Sequence, residues 1–471
     1  MTSRRRAAGM RSFGNNLAVL GWAIDARLAL AGGIPAIERR AQLRRQAIVR
    51  WARTASPFYR ELYRGLPAHL GHFTDLPRVT KPRLMAGFDD WVTDPGVTLG
   101  DLKPWLSDLG RVGSLYQGKY LVYTTSGTTG EPAVLVQDRS ALALYLASRV
   151  RMYPVMLDGD TLARVVRGHG RSAALLATGG HYGGVVMAEW ARRLHPMGRN
   201  LEVLSVAAPL AQTVSRLNRL QPVIVSGYAS AIALLAEEAA AGRLAINPAL
   251  ILSIAESLTP AGRERIDVVW HARVIEGYGA SEAAVIAFGC REGKLHQNVD
   301  WVTLEPVDAQ YRPVPPGTPS FTTLITNLAN RVQPIIRYDL GDSVTLDPQP
   351  CPCGSPLPVI RVEGRSSDIL TLARPGGETV SILPLAIGSE AEEAPGVRRV
   401  QIVQVGPTEL MVKIEPEGGA DREGVATAVK RRLDDFLARQ GLPNVTVSVS
   451  QDLPQQERSG KFRQVYRQST R

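Results

Sequence analysis

With 471 residues, the chain is long enough for two to four domain-sized units and a large buried core. Hydrophobic residues at 44% and charged residues at 21% exclude a mostly disordered chain, and three cysteines exclude a disulfide-stapled secreted scaffold. The formal charge is +11 and only seven of the 55 basic residues are lysine. The arginines run along the whole chain, densest at Arg4, Arg5 and Arg6, with Arg39, Arg40, Arg44 and Arg45 further on. That reads as a solvated surface able to concentrate an anionic substrate, not as the single basic stripe of a nucleic-acid protein.

Leu17 to Ile34 is apolar, but Asp25 and Arg27 interrupt it. No run reaches the ~20 uncharged residues of a spanning helix, and the apolar centre of a signal peptide would be continuous. Most of Leu17 to Trp51 therefore reads as amphipathic helix packed on the main body, broken at Gly32-Gly33-Ile34-Pro35, with no membrane insertion. A cytoplasmic location is the default expectation. Residues 35–65 read as helix ending at Ser56-Pro57-Phe58-Tyr59-Arg60, followed by the Pro-marked segment Leu76 to Pro82. From about 120 to 345, short apolar runs alternate with helical stretches: Tyr120–Tyr123 then Ala141–Arg151, Pro222–Val225 then Ala229–Ala241, Arg273–Ile275 then Ser281–Phe288. Strands alternating with helices predict an α/β core.

The last hundred residues follow a different pattern. Leu410, Val412 and Ile414 alternate at period two, as do Val445, Val447 and Val449. Val425, Val429, Leu433, Phe436 and Leu437 fall at helical spacing. The expected architecture is α/β: a large multi-subdomain N-terminal region, 1–363, and a small α+β lid, 364–471, hinged at 365–368 after the Pro-rich stretch Pro348 to Pro358.

The densest chemical signal is Thr125-Ser126-Gly127-Thr128-Thr129-Gly130-Glu131-Pro132, directly after a strand-like run. Its glycines let the backbone approach a ligand, and its hydroxyls and main-chain N–H groups suit phosphate oxygens. No G-x-x-x-x-G-K-[ST] occurs, so this is not a Walker-type loop. The segment resembles the phosphate loop of adenylate-forming enzymes, the superfamily of acyl-CoA synthetases, luciferases and adenylation domains. Four further motifs of that superfamily follow in order. Glu276-Gly277-Tyr278-Gly279-Ala280-Ser281-Glu282 resembles its Y-G-x-[ST]-E motif. Arg337-Tyr338-Asp339-Leu340-Gly341-Asp342 resembles its Y-x-T-G-D motif. Glu363-Gly364-Arg365-Ser366-Ser367-Asp368 resembles the hinge, and Arg458-Ser459-Gly460-Lys461 the C-terminal lysine motif. Ser56-Pro57-Phe58-Tyr59-Arg60, Leu76-Pro77 with Thr80-Lys81, Gly179-Gly180-His181-Tyr182-Gly183 and Ala255-Glu256-Ser257-Leu258 resemble the phenylacetate–CoA ligase-like branch. The likeness runs from about residue 40 to 467.

This resemblance implies an AMP-forming acid–thiol ligase. It would use ATP and Mg²⁺ to make an acyl-adenylate from a carboxylic acid, expected to be aromatic, and then pass the acyl group to coenzyme A. Lys461, Glu282 and Thr125 are the implied catalytic residues, Glu282 as the magnesium ligand and Lys461 as a mobile positive charge beside the reacting carboxylate. Thr125 to Gly130 with Ala255, Glu256, Ser257, Tyr278, Gly279, Asp342 and Arg365 would bind ATP, Asp342 holding the ribose hydroxyls. His181, Tyr182, Gly183 and Ala280 would line the acyl site.

Two features stand beside that set. Cys290, His296, Cys351 and Cys353 use all three cysteines and supply a complete tetrahedral set for structural zinc. The segment after the hinge, Leu372 to Val380, departs from the branch, whose R-G-x-N-V-x-P run helps form the thiol tunnel. An amine, carrier-protein thiol or hydroxyl acceptor therefore stands as an alternative, as does a degenerate, non-catalytic nucleotide-binding protein. The oligomeric state is not legible in the sequence.

Overall fold

The computed structural model describes residues 2–67, 72–125, 132–194, 198, 200–258, 260–365, 368–455 and 462–468, with side chains from Leu17 onward except at 194, 261, 385 and 389. Its middle is a nine-stranded mixed sheet. Five strands are parallel, in the spatial order Leu201–Ser205, Ser172–Leu176, Ile224–Gly227, Leu250–Ile254 and Arg273–Ala280. Parallel neighbours need long crossovers. The helices Gly183–Leu194, Leu210–Leu220, Ala229–Ala240 and Pro260–Trp270 supply them. Covered on both faces, such strands read as continuous apolar runs, as Leu250-Ile251-Leu252 does. Ile232, Leu235, Ile251, Ile266 and Trp270 pack together between sheet and helices.

Beyond Arg273–Ala280 the sheet turns antiparallel through Ala283–Gly289, Leu295–Gln297, Val359–Arg365 and Asp342–Leu346. This corrects the reading of Ser281–Phe288 as helical. Its alanines favour helix, but Val285, Ile286 and Phe288 lie in a strand that pairs back on Arg273–Ala280 across a two-residue turn. Tertiary pairing outweighs weak local propensity here. Gly279 makes the hairpin possible, since a Cβ there would sit 2.2 Å from the Ala284 carbonyl oxygen.

Two three-stranded antiparallel sheets complete the large region: Leu115–Tyr116, Tyr120–Thr124 and Val134–Gln137, and Val302–Val307, Thr322–Asn327 and Tyr338–Asp339. The expected Tyr120–Tyr123 strand thus exists, but outside the main sheet.

The chain begins with two helices, Thr2–Ala31 and Gly33–Ala55, joined at Gly32. Ala26, Ala29, Ile37, Ala41, Ile48 and Ala52 face inward. An ionic chain pins them: Asp25 accepts from Arg40 and Arg44, and Arg44 reaches the Asp300 carbonyl at 2.8 Å. Asp300 in turn pairs bidentately with fully buried Arg151, at 2.7 and 3.0 Å, and Arg151 stacks 4.1 Å over the Trp301 ring. Losing one partner of such a buried pair costs about 3–5 kcal/mol, because the other charge stays desolvated.

After Arg365 comes a hairpin, Leu370–Ala373 with Thr379–Ile382, and the helix Pro384–Glu392. A four-stranded sheet follows in the order Thr446–Ser450, Glu409–Pro416, Val397–Gly406, Val465–Arg467. The helix Arg422–Arg439 lays Val425, Val429, Leu433, Phe436 and Leu437 on it. The expected ββαβ unit is present, with Val465–Arg467 as a further parallel strand. The apolar core of this region draws only on residues between Leu370 and Val465.

Candidate active site

The candidate residues gather at the carboxyl ends of the parallel strands, where open α/β sheets leave a crevice for ligands. Tyr120–Thr124 and Val134–Gln137 pair as a hairpin whose tip is the Ser/Thr/Gly loop. Thr125 closes its base: its N–H donates to the Ala133 carbonyl at 3.0 Å, and its Oγ1 accepts from the Ala133 N–H at 2.9 Å. Ser126, Gly127, Thr128, Thr129 and Gly130 lie outside the described residues, as does Lys461.

Asp342 and Arg365 are direct cross-strand partners in an antiparallel pair. Arg365 Nε stands 4.0 Å from Asp342 Oδ1, while the Tyr278 hydroxyl donates to Asp342 Oδ2 at 2.7 Å. Burial, and then the Asp342 charge, push the Tyr278 phenol well above its ordinary range, so it stays a donor.

Glu282 sits at the turn between Arg273–Ala280 and Ala283–Gly289 and is 7% exposed. Burial raises its carboxyl above the ordinary range, and the Asp342 charge adds to that. A hydrogen bond from the Tyr338 hydroxyl and the charge of Arg365 act in the opposite direction. Its main-chain oxygen accepts from Asn327 Nδ2 at 2.9 Å, which fixes the turn. Tyr338 and Lys81, which line one small cavity with Glu282, were not assigned roles from the sequence. Their only signal was membership of two motif segments.

Ala255 follows the strand Leu250–Ile254 with φ +65°, a conformation costly for a non-glycine residue. This kink aims Glu256 across the crevice. Glu256 Oε2 accepts from the Ser230 N–H, in the first turn of the helix Ala229–Ala240, at 2.9 Å. Its Oε1 accepts from the Phe462 N–H at 2.8 Å. One carboxylate therefore joins the sheet region to the residue directly after Lys461. Phe462 also lies 4.4 Å under the Arg399 guanidinium. Beside it, Arg398 pairs with Glu237 at 2.6 Å, and Arg463 Nε with Asp368 Oδ1 at 2.9 Å. A cavity of about 240 Å³ opens between these contacts, walled by Ala255, Ser257, Arg365 and Phe462.

In the expected acyl site, His181 is 3% exposed and its Nε2–H donates to the Asp108 carbonyl at 3.0 Å. The His181 carbonyl accepts from the Thr124 N–H at 2.6 Å. This histidine therefore ties the hairpin to the main sheet. Gly183 opens a helix where a Cβ would meet the Tyr123 ring at 3.4 Å, and the Tyr123 hydroxyl donates to the Ser281 carbonyl at 2.8 Å. Tyr182 and Ala280 are both half-buried.

The second constellation assembles as well. The ligand atoms of Cys290, His296, Cys351 and Cys353 all lie within 4.8 Å of one another. Cys290 and Cys351 sulfurs are 3.7 Å apart, and Cys353 Sγ is 3.2 Å from His296 Nε2. His296 Nδ1 lies 3.0 Å from the Leu357 carbonyl, which fixes the tautomer that leaves Nε2 free to ligate. Burial and the neighbouring thiols push the Cys353 thiol up to about 12.

No family model matches the chain. Among curated proteins, Protein CapK of Staphylococcus aureus is 25% identical over 225 residues, 47% of this chain and 48% of that protein. The chain thus spans about half the length of the curated relative it matches. Among solved structures, 2-hydroxyisobutyryl-CoA ligase in the postadenylation state with 2-HIB-AMP matches at TM-score 0.66 and 21% identity, over 93% of this chain and 91% of that one. The anthranilate CoA ligase AuaEII with anthranoyl-AMP matches at 0.53 and 16%, over 72% and 64%. A benzoate CoA ligase from Burkholderia xenovorans LB400 matches at 0.50 and 17%, over 70% and 65%. The chain has the fold of the adenylate-forming acid–CoA ligases.

Proposed function

We propose that the protein is an AMP-forming acid–thiol ligase. In the first half-reaction an acid carboxylate oxygen attacks the α-phosphorus of ATP; the bond to the β-phosphate oxygen breaks and pyrophosphate leaves. In the second, the thiolate of coenzyme A attacks the acyl carbon, and the acyl–oxygen bond breaks to release AMP. The observation that carries this reading is the clustering of Tyr278, Glu282, Asp342 and Arg365, with Arg365 also walling the cavity at the Glu256–Phe462 bridge.

Attack brings two anions together, so catalysis is mainly positioning and charge neutralisation. Thr125 with Ser126 to Gly130 wraps the phosphates. Ala255 and Ser257 flank the nucleotide base, with Tyr278 and Gly279 on its other side. Asp342, oriented by the Tyr278 hydroxyl, would accept from the ribose hydroxyls, and Arg365 would donate beside it. Lys461 brings its ammonium to the α-phosphate, set by the hold of Glu256 on Phe462.

A hard cation fits Glu282, a desolvated carboxylate oxygen held by a tyrosine hydroxyl. Mg²⁺ bound there would neutralise phosphate charge. Zinc fits the Cys290–His296–Cys351–Cys353 group, whose donor types, closeness and oriented imidazole suit a closed structural site. It would crosslink the end of Ala283–Gly289 to the loop before Val359–Arg365.

The acid is proposed to be aromatic and to lie against Tyr182, Gly183 and Ala280, with His181 shaping the site from behind. We propose 365–368 as the hinge and 364–471 as the mobile lid. An acceptor other than coenzyme A is the second reading. The segment from Leu372 to Val380 forms a closed hairpin in which the Arg374 N–H donates to the Glu378 carbonyl at 2.7 Å. Trapping the adenylate decides between them: thioester formation with coenzyme A supports the first, and amide or ester formation in its place overturns it.

A further inference from the structure

The net charge is far less dispersed than the arginines. Residues 1–55 hold eleven arginines against two acids, Asp25 and Glu38, a formal +9 of the chain's +11. The remaining residues are almost neutral at +2. This charge sits on the two opening helices, the first of which carries an exposed apolar row. Leu17, Leu20, Ile24 and Leu28 follow one another in steps of three and four, which keeps them on one side of the helix. They are 51–57% exposed, and Ile34 and Leu43 on the second helix are 56% and 53% exposed. Among the described residues, seven of the fifteen large apolar side chains that stand exposed fall between Leu17 and Trp51. Scattered exposed leucines need no explanation, but a contiguous row marks a face that something covers. Arg27, Arg39 and Arg50 stand exposed around it, and Arg4, Arg5, Arg6 and Arg11 lie upstream on the first helix.

We propose that this helical hairpin adsorbs in the plane of an anionic lipid surface. The apolar row enters the headgroup boundary while the arginines meet lipid phosphates. Stable adsorption takes two signals, apolar burial and basic charge, and both are present here. Each arginine near an anionic leaflet strengthens the attachment. Charge complementarity selects this occupant. A second copy would set one +9 hairpin against another. A nucleic acid would use the arginines and leave the apolar row in water. No helix among the described residues is long and apolar enough to cross a membrane, so the contact is peripheral. The inference is independent of the ligase reading, since none of these residues belongs to the crevice.

Co-sedimentation of the full chain with large unilamellar vesicles tests it. Vesicles of phosphatidylcholine alone are compared with an equimolar mixture of phosphatidylcholine and phosphatidylglycerol, at low and high salt. The protein is expected to pellet with the mixed vesicles only, and less at high salt. The triple variant Leu20→Gln, Ile24→Gln, Leu28→Gln should weaken this at least ~10-fold, because each leucine or isoleucine contributes on the order of 1 kcal/mol of apolar transfer. The variant Arg4→Gln, Arg5→Gln, Arg6→Gln should weaken it as well, and guards against misfolding of the first. Equal binding to both vesicle types, binding to neither, or unchanged binding by both variants would overturn the proposal. Loss of a wild-type dimer in the apolar variant, without vesicle binding, would assign the face to a second copy.

Discussion

Glu282 is a carboxylate in a place that disfavours its charge, and the consequence is measurable. Because burial holds its proton to higher pH in the folded chain than in the unfolded one, its contribution to stability is fullest at low pH. That contribution falls as pH rises through the raised value. Replacing it with glutamine removes the buried charge and keeps an acceptor for the Tyr338 hydroxyl. Glu282→Gln is therefore expected to melt above the parent at pH 7, with the gap narrowing as pH falls and the parent's carboxyl becomes protonated. Its pyrophosphate exchange should fall at least ~10²-fold, the scale for losing charge stabilisation at the reacting centre. Thermal melts across pH, read beside the exchange rate, check this; a gap that does not change with pH would contradict it. At this scale the sequence was informative where a motif names a side chain. Tyr278, Glu282, Asp342 and Arg365 could be listed in advance, and the strand register brings Asp342 opposite Arg365. What it could not show was partnership. The contacts of Glu256 with Ser230 and Phe462 depend on a +65° φ at Ala255 that no residue type announces. Nor does a residue type announce that the His181 ring meets the Asp108 carbonyl.

At the scale of elements, the Glu256 bridge and the Cys/His cluster each bring together pieces distant in sequence. The bridge holds the strand entering Val465–Arg467 against the end of Leu250–Ile254. If it sets Lys461 for the first half-reaction, Glu256→Ala should slow adenylate formation about 10-fold, as the loss of a charged hydrogen-bond partner does. Glu256→Gln, which keeps an acceptor oxygen, should recover much of it. Lys461→Ala should cost at least ~10² in the same step. In all three variants, transfer from pre-formed adenylate should suffer much less. Equal losses in both half-reactions would refute the assignment. The proposed zinc clip would join Cys290, after Ala283–Gly289, to Cys351 and Cys353 before the strand that carries Arg365. One zinc per chain by elemental analysis is expected, with a lower Tm after chelation or in Cys353→Ser. No zinc after metal-replete expression would reject it. That Cys290, His296, Cys351 and Cys353 come together could be suspected because cysteine is rare in this chain. The hairpin that carries Glu282 was misread because Ala283, Ala284 and Ala287 carry helix propensity, while the pairing that overrides it is set by strands elsewhere.

For the whole molecule, the alternation of apolar runs and helices was enough to foresee an α/β core, because buried parallel strands leave continuous apolar segments. The period-two strands after Val397 and the helical row from Val425 likewise marked a second packed unit, and its apolar core is distinct. The concentration of charge in the first 55 residues was present in the sequence but hidden by arginines elsewhere, which acids balance. Only the exposed row from Leu17 to Leu28 gave that charge a surface to belong to. The central claim is that the crevice couples a carboxylic acid to ATP. Exchange of labelled pyrophosphate into ATP, run with a panel of aromatic and short aliphatic acids, tests it most directly. Acid-dependent exchange is predicted, strongest with an aromatic acid and at least ~10²-fold weaker in Glu282→Gln. ATP binding without exchange for any acid would contradict the account and leave a nucleotide-binding protein in place of a ligase.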